Sequence, residues 1–298
     1  TTEHTPVFIH CGPFGNIAHG CNSVRATRLS LKLAPYVITE AGFAADLGAE
    51  KFLHIKCRQA DLTPSAGVLV ATVRALKYHG GIEKEELGIE NVEAVRVGCA
   101  NLQTHAENVQ KYGIPVVIAL NRFPTDTPAE LDAVQEFCAT MGMDCALSEV
   151  VARGGDGGIE LAKKVKALAD NSVGERVSLY DLKDPIKTRI ETLAREVYRA
   201  DGVDFTPEAE AAIVRLEQND LSEWPICMAK TQASLSDDSK QRNAPRGWRL
   251  QVREVKVSNG AGFIIVVTGK MMLMPGMPKQ SAVNLIDIDK SGRISGLS

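Results

Sequence analysis

The chain has 298 residues, of which 44% are hydrophobic and 24% are charged, and its formal net charge is −3. These values are typical of a folded protein with room for about two domains. Lys and Arg are dispersed along the chain, which argues against a nucleic acid or an anionic membrane surface as partner. No apolar run reaches the ~18 residues of a membrane-spanning helix, so we also predict no membrane partner.

Seven cysteines form an odd number without any Cys-x-x-Cys pair. This usage favours reduced thiols in the core over a disulfide framework. The first residues, TTEHTP, are not a basic segment followed by an apolar one, so they do not resemble a secretory leader. We therefore expect a cytoplasmic protein, or an organellar one after processing.

The first third of the chain alternates apolar and helical patterns. They predict a helix at residues 22–33 and strands at residues 6–10, 36–39 and 67–73. Apolar strands separated by helices are typical of a parallel sheet, and open α/β sheets bind ligands at the carboxyl ends of their strands. We therefore expect one cleft to be formed by the loops at residues 10–14, 40–46 and 74–81.

Strands and helices continue to alternate after residue 82, where the composition becomes acidic. The patterns predict helices at residues 101–112, 128–140, 186–198 and 207–217, and strands at residues 115–120, 144–147, 248–256 and 262–268. The resulting prediction is an α/β fold with a domain boundary near residue 102 and a strand-rich carboxyl-terminal part.

The first candidate loop is the segment GPFGNIAHG at residues 12–20. Its glycines, Gly12, Gly15 and Gly20, permit positive φ and close backbone approach. Because a helix follows directly, backbone N–H groups and the helix dipole could together hold an oxyanion. A tight turn without a ligand is an equally good interpretation. The two histidines of this region have no partner at a zinc-like spacing, so we predict no metal site.

The second candidate loop is TEAGFAADLG at residues 39–48. Gly42 and Phe43 offer backbone donors, and the carboxylates of Glu40 and Asp46 could hold a cation or take a proton. A helix N-terminal charge is an equally good interpretation of Asp46. Basic residues that could counter phosphate charge, or equally face solvent, follow at residues 56–58 and 74–77.

The third candidate loop is NRFPTDT at residues 121–127, after a buried strand. Phe123 beside Pro124 could stack on a flat heteroaromatic ring, although a single aromatic in a loop more often packs against its own chain. The glycine-rich segment RGGDGG at residues 153–158 has no Gly-Lys-Ser/Thr after it, so the chain contains no Walker A motif.

These loops, taken in order, closely resemble formate–tetrahydrofolate ligases, also called formyltetrahydrofolate synthetases. The segments that carry the resemblance are GPFGNIAHGCNS (12–23), VITEAGFAADLGAEK (37–51), VATVRALK (70–77), NRFPTDT (121–127), AKT (229–231) and MPGMP (274–278). The resemblance runs from about residue 5 to the end. It implies that the chain is the carboxyl-terminal half of such a ligase, without the half that carries the P-loop.

By this resemblance, residues 1–102 are the last part of an incomplete P-loop NTPase-like domain that binds the nucleotide and formyl phosphate. Residues 103–298 are a carboxyl-terminal α/β domain that contributes the tetrahydrofolate slot. The implied reaction is ATP-dependent ligation of formate to tetrahydrofolate, which gives 10-formyltetrahydrofolate through formyl phosphate. The implied substrates are ATP with Mg²⁺, formate and tetrahydrofolate, with room for a monovalent cation, and the full-length assembly is a homo-oligomer.

The resemblance also assigns site residues. It implies catalytic roles for Gly42, Phe43 and Asp46, nucleotide or formyl phosphate binding by Gly12, Gly15, Asn16, His19 and Gly48, and folate binding by Phe123, Pro124, Leu147 and Val151. One departure matters, because the family usually has Trp at the position of Val151, and that Trp forms the second face of the pterin sandwich.

The P-loop and the arginine that clamps formyl phosphate belong to the absent half, so we expect the isolated chain to be inactive. Two alternatives stay open, a naturally separate subunit that works with a P-loop partner and a non-catalytic folate- or nucleotide-binding module. A neighbouring reading frame that ends in a Gly-Lys-Ser/Thr half would favour the separate subunit, whereas an in-frame upstream coding stretch would favour truncation.

Overall fold

A computed structural model describes residues 1, 3–9, 14–15, 17–172, 174–270, 279–281, 284–290 and 294–296. The segment MPGMP lies outside the described residues. Within the described part of the chain, no helix is both long and apolar enough to cross a membrane.

Five of the described α-helices begin after a residue whose side chain caps the first turn, namely Ser23, Thr72, Asn91, Thr127 and Thr206. Thr127 and Glu130 form a reciprocal capping box, and Pro128 occupies the first helical position. The α-helices are α1 (Val24–Leu33), α2 (Arg58–Ala60), α3 (Val73–His79), α4 (Val92–Gln110), α5 (Pro128–Thr140), α6 (Val150–Arg153), α7 (Ile159–Asn171), α8 (Ile186–Glu196) and α9 (Pro207–Gln218). Two π-helical turns, Ala45–Ala49 and Phe52–Cys57, lead into α2, so residues 45–60 form one helical segment.

The strands form separate sheets. They are β1 (Gly67–Ala71), β2 (Val116–Asn121), β3 (Asp144–Ser148), β4 (Gly202–Phe205), β5 (Ile226–Ala229), β6 (Arg249–Ser258), β7 (Phe263–Thr268), β8 (Asp287–Ile288) and β9 (Ile294–Ser295). The first sheet has the order β1-β2-β3 and is parallel throughout. Its central strand is buried on both faces, as its continuous apolar sequence requires.

The second sheet has the order β4-β6-β7-β5 and is mixed. β6 and β7 pair antiparallel, whereas β4 pairs parallel with β6 and β5 parallel with β7. Helices α8 and α9 pack on this sheet, and their apolar residues, such as Ile190 and Ile213, share one core with its strands. β8 and β9 form a short antiparallel pair.

The predicted α/β class is confirmed, and so are the strands predicted in the middle of the chain. The strands predicted at residues 6–10 and 36–39 are wrong, because residues 6–9 and 36–39 are irregular and His10 is outside the described part. Apolar residues alone do not make a strand, and the β-pairing described near these segments is a single bridge between Cys21 and Ala41. Residue 102, the predicted domain boundary, lies inside α4, and its side chain packs into the core that also contains the central strand of the first sheet.

Candidate functional site

The first two candidate loops lie against each other. The Gly42 N–H donates to the Gly20 carbonyl at 3.0 Å, next to the bridge between Cys21 and Ala41. This pairing brings the segment around Gly15 to the start of the helical segment at residues 45–60. Parts of the first two of the three segments expected to form one cleft are therefore close together, whereas residues 74–79 of the third belong to α3.

Glycine is required for this contact. A Cβ atom at Gly48 would lie 2.0 Å from the Gly42 carbonyl oxygen, and one at Gly20, where φ is +61°, would lie 2.7 Å from the Cα of Gly15. A Cβ at Gly15 would lie 2.9 Å from the ring of Phe43. These glycines therefore allow backbone segments to approach each other more closely than any side chain would permit.

Phe43 adopts a left-handed backbone conformation, with φ +66°. For a residue with a Cβ this conformation costs on the order of 1–3 kcal/mol. The residue is 47% exposed, and its ring lies against Gly15. The strain is therefore concentrated where the two loops meet.

Two buried lysines lie beneath these loops. The Lys51 ammonium group donates to the Gly15 carbonyl, and the Lys56 ammonium group donates to Thr27 Oγ1 at 2.8 Å and to Asn22 Oδ1. The ion pairs found among the described residues include neither lysine. Burial lowers the pKa of His19, and the positive charges of the two lysines lower it further. Both lysines therefore place positive charge close to His19.

Asp46 is held by a third buried lysine. Lys230, at the end of β5, contacts Asp46 Oδ2 at 2.9 Å, and both side chains are almost fully buried. The same ammonium group donates to carbonyl oxygens of the loop after β5, namely those of Thr231 (2.9 Å), Ser236 (3.2 Å) and Ser234. His105 Nδ1 lies 3.9 Å from the other Asp46 oxygen. By contrast, Glu40 is exposed, so the two carboxylates of this loop lie in different environments.

Other buried charges near the loops have structural partners. The Leu179 N–H donates to His54 Nε2 at 3.1 Å, so the proton of the neutral ring is on Nδ1, which donates to Glu50 at 2.8 Å. Lys77 pairs with Glu130 at 2.8 Å. Lys56 is also buried, so the solvated interpretation of Lys56 and Lys77 is wrong. Lys77 neutralises the Glu130 carboxylate, whereas Lys56 has only neutral hydrogen-bond partners among the described residues, Asn22 and Thr27, close to the glycine loops.

The predicted folate residues gather at the carboxyl edge of the first sheet. Phe123 and Pro124 follow β2, Leu147 is on β3 and Val151 is on α6. The β2–β3 register pairs Asn121 with Ser148, which places the two following loops side by side. Phe123 is 38% exposed and Val151 is 86% exposed, so both side chains are accessible.

Polar contacts join these two loops. The Glu149 carboxylate accepts hydrogen bonds from Arg122 at 2.9 Å and from Arg153 at 3.1 Å. These two bonds lower the pKa of the Glu149 carboxyl, and the bond from Arg153 has the larger effect. The Arg122 N–H also donates to the Ser148 carbonyl. The Phe123 N–H donates to Asp126 at 2.8 Å. The orientation of the loops is therefore fixed by their own residues.

An open groove of about 520 Å³ lies beside this edge, between α5 and α7. Cys145, Leu147 and Glu149 from the β3 edge line it, with Gln135 on one side and Lys164 on the other. The alternation along β3 directs Cys145 and Leu147 to the same side. Leu147 therefore faces an accessible cavity, as a residue of a ligand slot must.

The structure thus gathers the predicted residues into two sets, one around Gly42 and one around Phe123. Gly12 and Asn16 lie outside the described residues. Sequence reasoning left the role of Lys56 open and assigned no role to Lys51 or Lys230, although a lysine within an apolar run is a usable signal of a buried charge. Among the described residues no cluster of His, Cys, Asp and Glu is arranged to hold a metal ion.

The family model described as formate–tetrahydrofolate ligase matches residues 1–298 of this chain. The name of the family gives its reaction class, the ligation of formate to tetrahydrofolate, which is a step of one-carbon metabolism. ATP and tetrahydrofolate are substrates of that family. The match extends over both sets of residues described above. The chain therefore belongs to the formate–tetrahydrofolate ligase family.

Proposed function

We propose that this chain forms one side of the active site of an ATP-dependent formate–tetrahydrofolate ligase and produces 10-formyltetrahydrofolate through formyl phosphate. The loops around Gly15 and Gly42 line the nucleotide and the acyl phosphate. The edge of the first sheet at Phe123 binds the pterin ring. Magnesium enters with ATP, whose phosphate oxygens are its natural ligands.

The buried lysines carry this proposal. Lys51 and Lys56 bring two positive charges beneath the glycine loops. Burying an ammonium group is costly unless charge or hydrogen bonds compensate it. An anion at the loops supplies the missing negative charge, and both ATP and formyl phosphate are anions.

The contact from Lys51 to Gly15 also orients the loop. A carbonyl oxygen carries partial negative charge and would repel a phosphate. Because the Gly15 carbonyl is directed toward the Lys51 ammonium group, its negative end is turned away from the loop surface. Lys51 therefore acts on an anion through its charge and through the orientation of this peptide.

The first step requires a P-loop, a motif that these 298 residues do not contain. Transfer of the γ-phosphoryl group of ATP to formate releases ADP and needs a P-loop that surrounds the phosphates. The chain has no such motif, so we infer that a P-loop half supplies it, either covalently joined or as a separate subunit. The N10 amine of tetrahydrofolate then attacks the formyl carbon, and phosphate leaves.

The test compares the purified chain alone with the chain joined to a P-loop half from the same family. With ATP, formate and tetrahydrofolate, we expect 10-formyltetrahydrofolate only from the joined protein. Lys51→Met in the joined protein should reduce turnover strongly, whereas the exposed Lys163→Met should not. Turnover by the chain alone, or an unchanged rate in Lys51→Met, would contradict the proposal.

A further inference from the structure

The side chain of Asn22 joins three segments at the glycine loops. Asn22 comes just after the first loop, next to the bridge between Cys21 and Ala41. Its Oδ1 atom accepts from Thr39 Oγ1 at 2.8 Å, and Thr39 begins the second loop. The same oxygen accepts from the ammonium group of Lys56, which lies on the helical segment at residues 45–60. Asn22 therefore connects both glycine loops with one of the buried lysines.

These two contacts fix the orientation of the Asn22 amide. A lysine ammonium group has donors and no acceptor, so the Asn22 atom that Lys56 contacts is the carbonyl oxygen and not the nitrogen. The donors from Lys56 and Thr39 together occupy both lone pairs of that oxygen. The Nδ2 group of Asn22, with its two N–H donors, is therefore directed away from Lys56.

The two N–H donors of Asn22 are free for a ligand. The hydrogen bonds of Asn22 to other described side chains all use Oδ1, and none uses Nδ2. Within the same part of the chain, Nδ2 is also not one of the buried polar atoms that lack a partner. Because Asn22 is half-buried, its Nδ2 group is unpartnered and open to solvent.

Fold stability alone would favour a carboxylate at this position. Lys56 is 2% exposed, and its ammonium group donates to the neutral side chains of Asn22 and Thr27. Asp has the shape of Asn and would compensate the buried charge more fully. The amide instead leaves the positive charge of Lys56 uncompensated and adds two donors. An anion beside Asn22 would benefit from both.

We propose that the Asn22 amide is a further binding group for the phosphate-bearing ligand of the glycine loops, and that Lys56 and Thr39 orient it. This inference rests on the proposed function, because it takes the phosphate oxygens of ATP or formyl phosphate as acceptors. The ammonium group on the carbonyl side polarises the amide and strengthens its N–H donors. Lys56 thus acts on the ligand through Asn22 as well as through its charge.

Asn22→Asp separates a binding role from a structural one. The variant keeps the oxygen that Lys56 and Thr39 contact and replaces the Nδ2 donors by a negatively charged oxygen. Its unfolding midpoint should be unchanged or higher, because the carboxylate compensates Lys56. Its affinity for the ligand should fall about ten- to a hundred-fold, as expected for the loss of a hydrogen bond to a charged group. Asn219→Asp adds the same charge at an exposed residue after α9 and should leave the affinity unchanged.

NMR titration of the whole chain measures these affinities. The Asn22 side-chain N–H signals are identified by their absence in Asn22→Asp, and they should shift when ligand is added. Separate titrations with ATP and with acetyl phosphate, a stable relative of formyl phosphate, show which of the two phosphates Asn22 contacts. Signals of Asn22 that shift with neither ligand, or an Asn22→Asp chain that binds both as the wild type does, would overturn the inference.

Two further comparisons separate the roles. Thr39→Val should weaken binding in the wild-type chain but not in Asn22→Asp, whereas an equal loss in both would contradict the orienting role of Thr39. If the chain joined to a P-loop half makes no 10-formyltetrahydrofolate while the Asn22 signals still shift, the proposed function fails and the Asn22 contact stands. If the joined Asn22→Asp enzyme turns over at the wild-type rate and the signals do not shift, the Asn22 contact fails and the proposed function stands.

Discussion

Replacement of Lys230 by Met should destabilise the chain more than any exposed lysine substitution. The side chain is fully buried, and its ammonium group contacts Asp46 at 2.9 Å together with three carbonyl oxygens of its own loop. Met fills a similar volume and supplies no donor. The variant therefore leaves the Asp46 carboxylate buried without its cation.

The expected loss is large. Removing one partner of a buried ion pair costs about 3–5 kcal/mol, because the other charge stays buried without compensation. Asp46→Asn should have a cost of similar size, since it leaves the Lys230 ammonium group with carbonyl partners alone. In the double variant Lys230→Met with Asp46→Asn neither charge is present, so its cost should be smaller than the sum of the single costs by about 2 kcal/mol or more.

Guanidinium unfolding followed by fluorescence and circular dichroism measures these differences. Lys163→Met serves as the control, since Lys163 forms an exposed pair with Glu160, and it should leave the unfolding midpoint unchanged. If the costs of the two single variants simply add in the double variant, the coupling between Asp46 and Lys230 that we infer is absent. A stability of Lys230→Met within the error of the wild type would refute the reasoning altogether.

Further predictions concern the folate slot, the glycine contact and pH. Val151→Trp in the joined enzyme should tighten tetrahydrofolate binding about two- to twelve-fold, as one ring-on-ring contact would, and calorimetry should find ATP binding unchanged; an unaltered folate affinity would argue against the slot. Gly48→Ala should cost about 1–3 kcal/mol of unfolding free energy because its Cβ would meet the Gly42 carbonyl, whereas Gly88→Ala, with open space around it, should cost nothing. Burial lowers the pKa of His79 to about 4 from its ordinary 6.5, so its stabilising contribution is complete above pH 6.5 and lost as the pH falls toward 4. His79→Gln should therefore show a shallower loss of stability over this range in thermal unfolding, and an equally steep loss would contradict the assignment.

The middle of the fold could be predicted from sequence because its signals are local. Val116 to Leu120 form a short apolar run whose length and flanking residues favour a strand buried on both faces, and Thr127, Pro128 and Glu130 mark the beginning of α5. The first forty residues misled the same reasoning. Ile38 is 92% exposed, so an apolar residue there does not indicate a buried strand.

The two sets of site residues were predictable to different degrees. The glycine loops and the Phe123 loop carry visible signals, because a glycine repeat before a helix and a Phe-Pro pair after a strand can be read from neighbouring residues alone. The partners of those loops lie far away in sequence. Lys230 is separated from Asp46 by most of the chain, and the packing of β5 against the helical segment at residues 45–60, not any local pattern, brings them together.

The Asp46–Lys230 contact also explains why the second sheet belongs to the site. Lys230 follows β5, which pairs with β7 inside the second sheet, while Asp46 belongs to the helical segment beneath the glycine loops. If the second sheet did not fold, Asp46 would be a buried carboxylate without a cation, next to a proposed binding site for anions. Its negative charge would then repel an anion at the proposed site. Neutralisation of Asp46 by Lys230 therefore removes one negative charge beside the glycine loops, and we predict that the proposed binding of an anion there depends on Lys230.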